Sequence, residues 1–322
     1  MTEEALNRRA AERASTRTAK GAGKRHLTAW AAAIVALLFL TLLWWPHTND
    51  PDHESEASRP SDVQRGEYLT RIGNCISCHT RPGGDPFAGG VAFTTPYTFL
   101  GTLYSTNITP DRESGIGLWS EREFVRALRE GKAPKHNLFP AFPYTSFTRI
   151  SDEDARAIFA YLRTLKPVRY TPPENSPAFR LRWAMTVWNA LVFEAGRFEP
   201  RRERSTEWNR GAYLVEGLGH CGACHTPRDT LLAERKKQAL SGNTYREHTA
   251  SGKETPWYAV NLTSAASGLG AWSVQDIAKY LKTGHSRRAG LFGPMNEVII
   301  KSLQYLTEED ARAMAVYLKD LA

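Results

Sequence analysis

Cys75-Ile76-Ser77-Cys78-His79 and Cys221-Gly222-Ala223-Cys224-His225 decide how this 322-residue chain is read. The two boxes take up all four cysteines of the sequence. Cys-x-x-Cys-His is the attachment pattern of a c-type haem. Two thiols one helical turn apart can add across the two vinyl groups as thioethers. The histidine that follows then lies under the ring and gives its imidazole to iron. A redox dithiol does not require histidine at the next position, and a zinc site would gather four soft ligands at one point instead of dividing them between two boxes. The sequence therefore predicts two covalently attached haem c groups, held by Cys75 and Cys78 and by Cys221 and Cys224, with His79 and His225 as iron ligands.

Outward from the boxes, the same unit is written twice. Arg65-Gly66-Glu67-Tyr68-Leu69 precedes the first box and Arg210-Gly211-Ala212-Tyr213-Leu214 the second. Asn107-Ile108-Thr109 returns as Asn261-Leu262-Thr263, Trp119-Ser120 as Trp272-Ser273, and the run starting at Ser151 as the run starting at Thr307. The expected domains are 61–166 and 206–322, joined by a proline-rich connector at 167–205. Ser120 with Glu123, Ser273 with Asp276, Ser151 with Asp154 and Thr307 with Asp310 read as helix N-caps with an acid three residues on. Apolar residues then recur at helical spacing: Ala155, Ile158, Phe159 and Leu162, and likewise Ala311, Met314, Ala315 and Leu318. Met314 stands at the repeat position of Ile158 and reads as core. Between these helices the chain looks like loop, too little regular structure to fold without a large apolar insert such as haem.

Ahead of the repeats, residues 27–45 carry no charge, and nineteen residues at about 1.5 Å each span about 28 Å, close to a bilayer core. Seven basic residues and three acids lie in 1–26, so that tail holds +4 of the chain's net +8. The charge is thus a topology signal and not a nucleic-acid-binding face. It predicts a basic cytoplasmic tail at 1–26, a retained single-pass transmembrane anchor at 27–45 ending in Trp44-Trp45, and a linker at 46–60. The haem domains would face the periplasm from a bacterial inner membrane. Four cysteines in a chain this long exclude a disulfide scaffold.

From Arg65 to the C-terminus the sequence resembles the membrane-bound multihaem cytochrome c subunits of bacterial periplasmic dehydrogenases, those of alcohol, gluconate and aldehyde dehydrogenases among them. The likeness rests on Tyr104-Ser-Thr-Asn-Ile-Thr-Pro110, Arg126-Ala-Leu-Arg-Glu-Gly131 and the string from Trp208 through Cys224-His225-Thr226-Pro227-Arg228. The resemblance implies a mainly α fold of tandem class I cytochrome c domains behind the anchor, and electron transfer rather than catalysis, with no catalytic residues. The implied donor is a periplasmic dehydrogenase subunit of flavin, quinoprotein or molybdenum type. The implied acceptor is a quinone, a cytochrome or an oxidase. The best-known members carry a third haem domain that this chain lacks.

The resemblance also bears on the sixth iron ligands. Met295, in Gly293-Pro294-Met295, matches the family's methionine loop and is expected on the second haem. The first repeat has Pro140-Ala141-Phe142-Pro143-Tyr144 where the family has methionine in the middle, and phenylalanine has no lone pair for iron. The first haem then takes His136, six residues earlier in the same loop, or Met185 from the connector, or keeps an open position. His220, beside the second box, reads as a bystander, and Trp119 and Trp272 read either as haem-edge residues or as packing. The leading function is a membrane-tethered dihaem electron carrier. The alternative is a dihaem peroxidase or ligand-binding enzyme working at an open first haem.

Overall fold

The structure is a computed structural model that describes residues 59–95, 97–248 and 254–321. The expected tail and anchor, and all but the end of the linker, lie outside these residues. Among the described residues no helix is long and apolar enough to cross a membrane. The described residues belong to one compact unit.

The first repeat runs α1 (Pro60–Ile72), α2 (Cys75–His79), the antiparallel pair β1 (Ala92–Thr94) and β2 (Thr102–Tyr104), α3 (Glu121–Glu130), α4 (Tyr144–Phe147) and α5 (Asp152–Thr164). The connector holds α6 (Ala184–Val192). The second repeat runs α7 (Thr206–Ala212), α8 (Gly222–His225), the pair β3 (Asn243–His248) and β4 (Glu254–Ala259), α9 (Val274–Thr283), α10 (Pro294–Lys301) and α11 (Glu308–Asp320). The fold is mainly helical, as the sequence predicts. The two hairpins stand where the sequence reads as loop. Three-residue strands such as β1 and β2 are too short to establish an alternating pattern.

Local signals account for the helix limits. Ser120 with Glu123 and Ser273 with Asp276 form reciprocal capping boxes, and Gly131 and Gly284 close α3 and α9 in the left-handed conformation (φ 64° and 70°). The Ser151 and Thr307 hydroxyls accept from the backbone N–H groups of Asp154 and Asp310. Between Tyr and the box, however, the repeats differ by one residue: Tyr68 to Cys75 is seven positions, Tyr213 to Cys221 eight. The second repeat takes up the extra residue as one turn of π-helix, Tyr213–Leu218, which widens the helix and leaves both tyrosines and both boxes in register.

The first helix of each repeat packs on the last, α1 on α5 and α7 on α11. Glycine permits the approach. A Cβ on Gly66 would overlap the Ala157 carbonyl, and one on Gly211 the Ala313 carbonyl. Alanine is the better helix former by about 1 kcal/mol, but here a backbone clash outweighs that gain. Gly66→Ala and Gly211→Ala are each expected to destabilise the protein by about 3 kcal/mol, seen as a lower midpoint in thermal melts. An unchanged midpoint would mean the helices do not cross at these glycines.

The two repeats are also locked to each other by exchanged tyrosines. Asp154 is paired with Arg65 of its own repeat at 2.6 Å and accepts from the Tyr213 hydroxyl of the other at 2.5 Å. Asp310 is paired with Arg210 at 2.7 Å and accepts from the Tyr68 hydroxyl at 2.6 Å. Burial works to raise the Asp310 carboxyl, but Arg210 and Tyr68 outweigh it and hold the group below the ordinary carboxylate range. This reciprocal contact places the two boxes on a common seam.

Candidate functional site

Each box is a short helix entered through a non-glycine residue in the left-handed region, Asn74 (φ 52°) before the first and His220 (φ 40°) before the second. The turn after each box is also repeated. The Thr80 and Thr226 hydroxyls accept from the backbone N–H groups of Phe87 and Leu240. The His79 and His225 carbonyls accept from those of Gly89 and Gly242 at 2.7 and 2.8 Å. The hairpins then return the chain to the box. His79 Nδ1 lies 2.7 Å from the Thr106 carbonyl, just after β2, and His225 Nδ1 lies 2.8 Å from the Val260 carbonyl, just after β4. A ring nitrogen that meets a carbonyl must carry the proton. Nε2 is therefore left with a free lone pair, the state in which imidazole binds a metal. Burial lowers both histidines below their ordinary pKa, with the carbonyl opposing, so the neutral form is favoured.

The thiols do not resemble those of a redox pair. Burial, with the neighbouring thiol adding to it, pushes Cys75 and Cys221 up to about 12. A disulfide exchanger needs the opposite, a depressed thiol. All four cysteines are free of disulfides. Among the described residues no group of three or more His, Cys, Asp or Glu side chains is arranged to hold a metal ion by itself. Cys224 and Glu297 add to burial in raising Cys78, and the first box meets the second repeat: Gly73 lies against Leu218, and the box helix packs beside α10.

A cavity of about 280 Å³ opens at the first box. Cys75, Cys78 and His79 form one part of its lining and Ile116, Phe124, Leu128, Ile158 and Leu162 supply an apolar part. The loop after α3 contributes His136, Phe139 and Phe142. A cavity largely lined by apolar side chains, with two thiols and one lone-pair imidazole at its edge, fits a haem joined by thioethers. The structure thus brings His79 and His136 to one cavity. Burial, and then the Arg182 charge, hold His136 below its ordinary pKa although the residue stays exposed. Phe142 lies on the same cavity, with its ring 5.5 Å from that of Phe147.

Met185 is buried but is not part of the lining, so packing accounts for it. Met295 opens α10, packs partly buried against the core and follows Gly293, whose φ of 61° leaves no room for a Cβ beside the Trp257 ring. Met314 is fully buried core. Trp119 lines the first cavity, whereas Trp272 packs edge-on against Tyr280 at 5.6 Å.

Four participants escape a sequence reading. Thr106 and Val260 act through backbone carbonyls; their only trace is the Asn-x-Thr string that comes directly after each. Arg182 reaches the cavity from the connector. His220, carried by the second repeat, lines the cavity of the first and sits 5.4 Å from the Phe147 ring.

Comparison with known proteins agrees with this geometry. Residues 63–166 match the family described as "Cytochrome c", whose members carry covalent haem c. The chain is 33% identical over 309 residues to the "Diheme cytochrome c-type" protein of Cereibacter sphaeroides, covering 92% of this chain and 98% of that one. It is 42% identical over 268 residues to the "Gluconate 2-dehydrogenase cytochrome c subunit" of Pantoea cypripedii, covering 80% of this chain and 59% of that one. It is 40% identical over 304 residues to the "Fructose dehydrogenase cytochrome subunit" of Gluconobacter japonicus, covering 92% of this chain and 60% of that one. The chain thus spans well under two thirds of the length of these two dehydrogenase subunits. With nearly the whole of the Cereibacter protein matched, the chain belongs to the cytochrome c family that includes that dihaem protein and the cytochrome c subunits of bacterial dehydrogenases.

Proposed function

We propose that this protein is a membrane-anchored dihaem c-type cytochrome that carries electrons from a periplasmic dehydrogenase to the respiratory chain. The observation that carries the reading is the matched pair of histidines, each directly after its second cysteine and each with Nδ1 on a backbone carbonyl. Cys75 and Cys78, and Cys221 and Cys224, would hold the two haems, with His79 and His225 as iron ligands and Met295 and His136 as further ligands of the second and the first. Bound haem supplies a reversible one-electron couple. The chain's own residues fix the imidazole tautomer, exclude water with apolar walls and set two unlike surroundings.

The charge-free segment at 27–45 would tether the protein in the inner membrane with its haem domains in the periplasm. The donor is a flavin, quinoprotein or molybdenum dehydrogenase subunit and the acceptor a quinone, cytochrome or oxidase. The names of the gluconate and fructose relatives support a dehydrogenase partner. A second reading, a peroxidase or ligand-binding enzyme, rests on Phe142 standing in the first ligand loop while His136 remains exposed.

The test is intact-mass measurement with an optical redox titration of the matured full chain. Two haem additions and two one-electron waves, without peroxide turnover, are expected. One addition overturns the dihaem reading, and sustained peroxide turnover overturns the carrier.

A further inference from the structure

Arg182 is a half-buried cation with no carboxylate beside it. It comes from the connector, just ahead of α6, and lines the cavity of the first box among largely apolar neighbours. Burial pulls its guanidinium below the ordinary value, and no anion is close enough to offset that. Among the described residues no carboxylate pairs with it. Its five N–H donors have one long bond, 3.4 Å from Nη1 to the Asn137 carbonyl, and its cationic face lies 4.8 Å from the centre of the Phe139 ring. Half-buried, the guanidinium gives up part of its hydration with no anion in return.

The surroundings hold Arg182 in this position. The Asn137 amide donates to Thr186 at 2.9 Å, the Tyr144 hydroxyl donates to Asn189 at 2.6 Å, and Phe139 meets Phe179 edge-on at 5.0 Å. The connector is thereby fastened to the loop that carries His136. The cation is delivered to the cavity by construction and does not stray there as a flexible side chain.

We propose that Arg182 is a haem-binding residue: its guanidinium receives a propionate carboxylate of the first haem, and so raises that haem's reduction potential. The inference rests on the reading of the cavity as a haem site. A planar fork suits a carboxylate, which it can grip with two parallel bonds. Haem c carries two such carboxylates and is joined through its vinyl side, which leaves the acidic edge to be neutralised by the protein. A positive charge at that edge disfavours the oxidised iron, which bears one charge more than the reduced. The connector then has a role beyond joining two domains, since it closes and charges the first haem site.

The experiment uses the full chain, matured with both haems, carrying Arg182→Gln or Arg182→Lys. Glutamine removes the charge; lysine keeps it without the fork. With Arg182→Gln the first haem's reduction equilibrium is expected to weaken about tenfold, a fall of about 59 mV for one electron. Arg182→Lys should recover most of that fall, and the wave of the haem with the far-red methionine band should stay in place in both. A purely structural role for Arg182 would make lysine and glutamine behave alike. That result, or an unmoved first wave, overturns the proposal. If the glutamine variant fails to mature, the lysine variant decides alone: a first wave at the parent position supports charge pairing, and one displaced by as much as tenfold refutes it. Failure of the haem reading is distinct, because it would appear in the parent protein as the absence of covalent haem.

Discussion

A full chain carrying Cys75→Ala and Cys78→Ala, matured alongside the parent, is expected to gain one haem by intact mass where the parent gains two. It should also lose much of its stability. The first cavity measures about 280 Å³ and is mostly apolar. Left empty, those apolar walls lose the group they pack against and face water, a cost on the order of several kcal/mol at about 25 cal/mol per Å² of apolar surface. A whole domain is commonly stable by only about 5–15 kcal/mol. The damage should not stop at the first repeat, because Leu218 and His220 of the second share the cavity wall. Tyr68 and Tyr213 exchange across the same seam. Thermal melts followed by circular dichroism, with absorbance to count any haem still bound without thioethers, provide the check. A variant that carries one haem, binds no second and melts with the parent would show that this cavity is not filled by haem.

The boxes, the repeat and the four helix caps could be read in the sequence because each is written in side chains at fixed spacing. Ser120 needs Glu123 three residues on, and Cys75 needs Cys78 and His79, whatever the rest of the molecule does. The carbonyls of Thr106 and Val260 carry no such mark, since any residue presents one. The hairpins that deliver them are held by backbone pairing more than by pattern. The π turn at Tyr213–Leu218 was implicit in arithmetic, one residue more between tyrosine and cysteine in the second repeat, yet choosing between a bulge and a longer loop requires the exchanged Tyr213–Asp154 contact that fixes both ends. His220 and Arg182 are the clearest cases of tertiary placement. Neither lies in the first repeat, and only the seam and the connector bring them to its cavity. Met185 shows the converse: its element was open to a ligand reading, but its side chain is spent on packing. The anchor at 27–45 remains a reading of sequence.

Unequal sixth ligands should make the two haems differ in spectrum and in potential. A thioether favours reduced iron more than a second imidazole does, so methionine ligation raises the potential. Met295 begins α10 in the loop of the second repeat, and Phe142 occupies the matching loop of the first, on the cavity that also receives His136. Met295→Ala is therefore expected to abolish the far-red thioether band and to weaken that haem's reduction at least tenfold, about 59 mV or more for one electron. The first haem should be untouched. His136→Ala should do the reverse, turning the first haem high-spin while the far-red band persists. The neutral imidazole that ligation needs is already favoured there, because burial and Arg182 both hold His136 below its ordinary pKa. If His136 completes a bis-imidazole set, the first haem would lie at the lower potential, and electrons entering there would run downhill to the second. If His136→Ala leaves the first haem low-spin, His136 is not the donor. The downhill direction would then have to rest on His220, the remaining imidazole on that cavity besides His79.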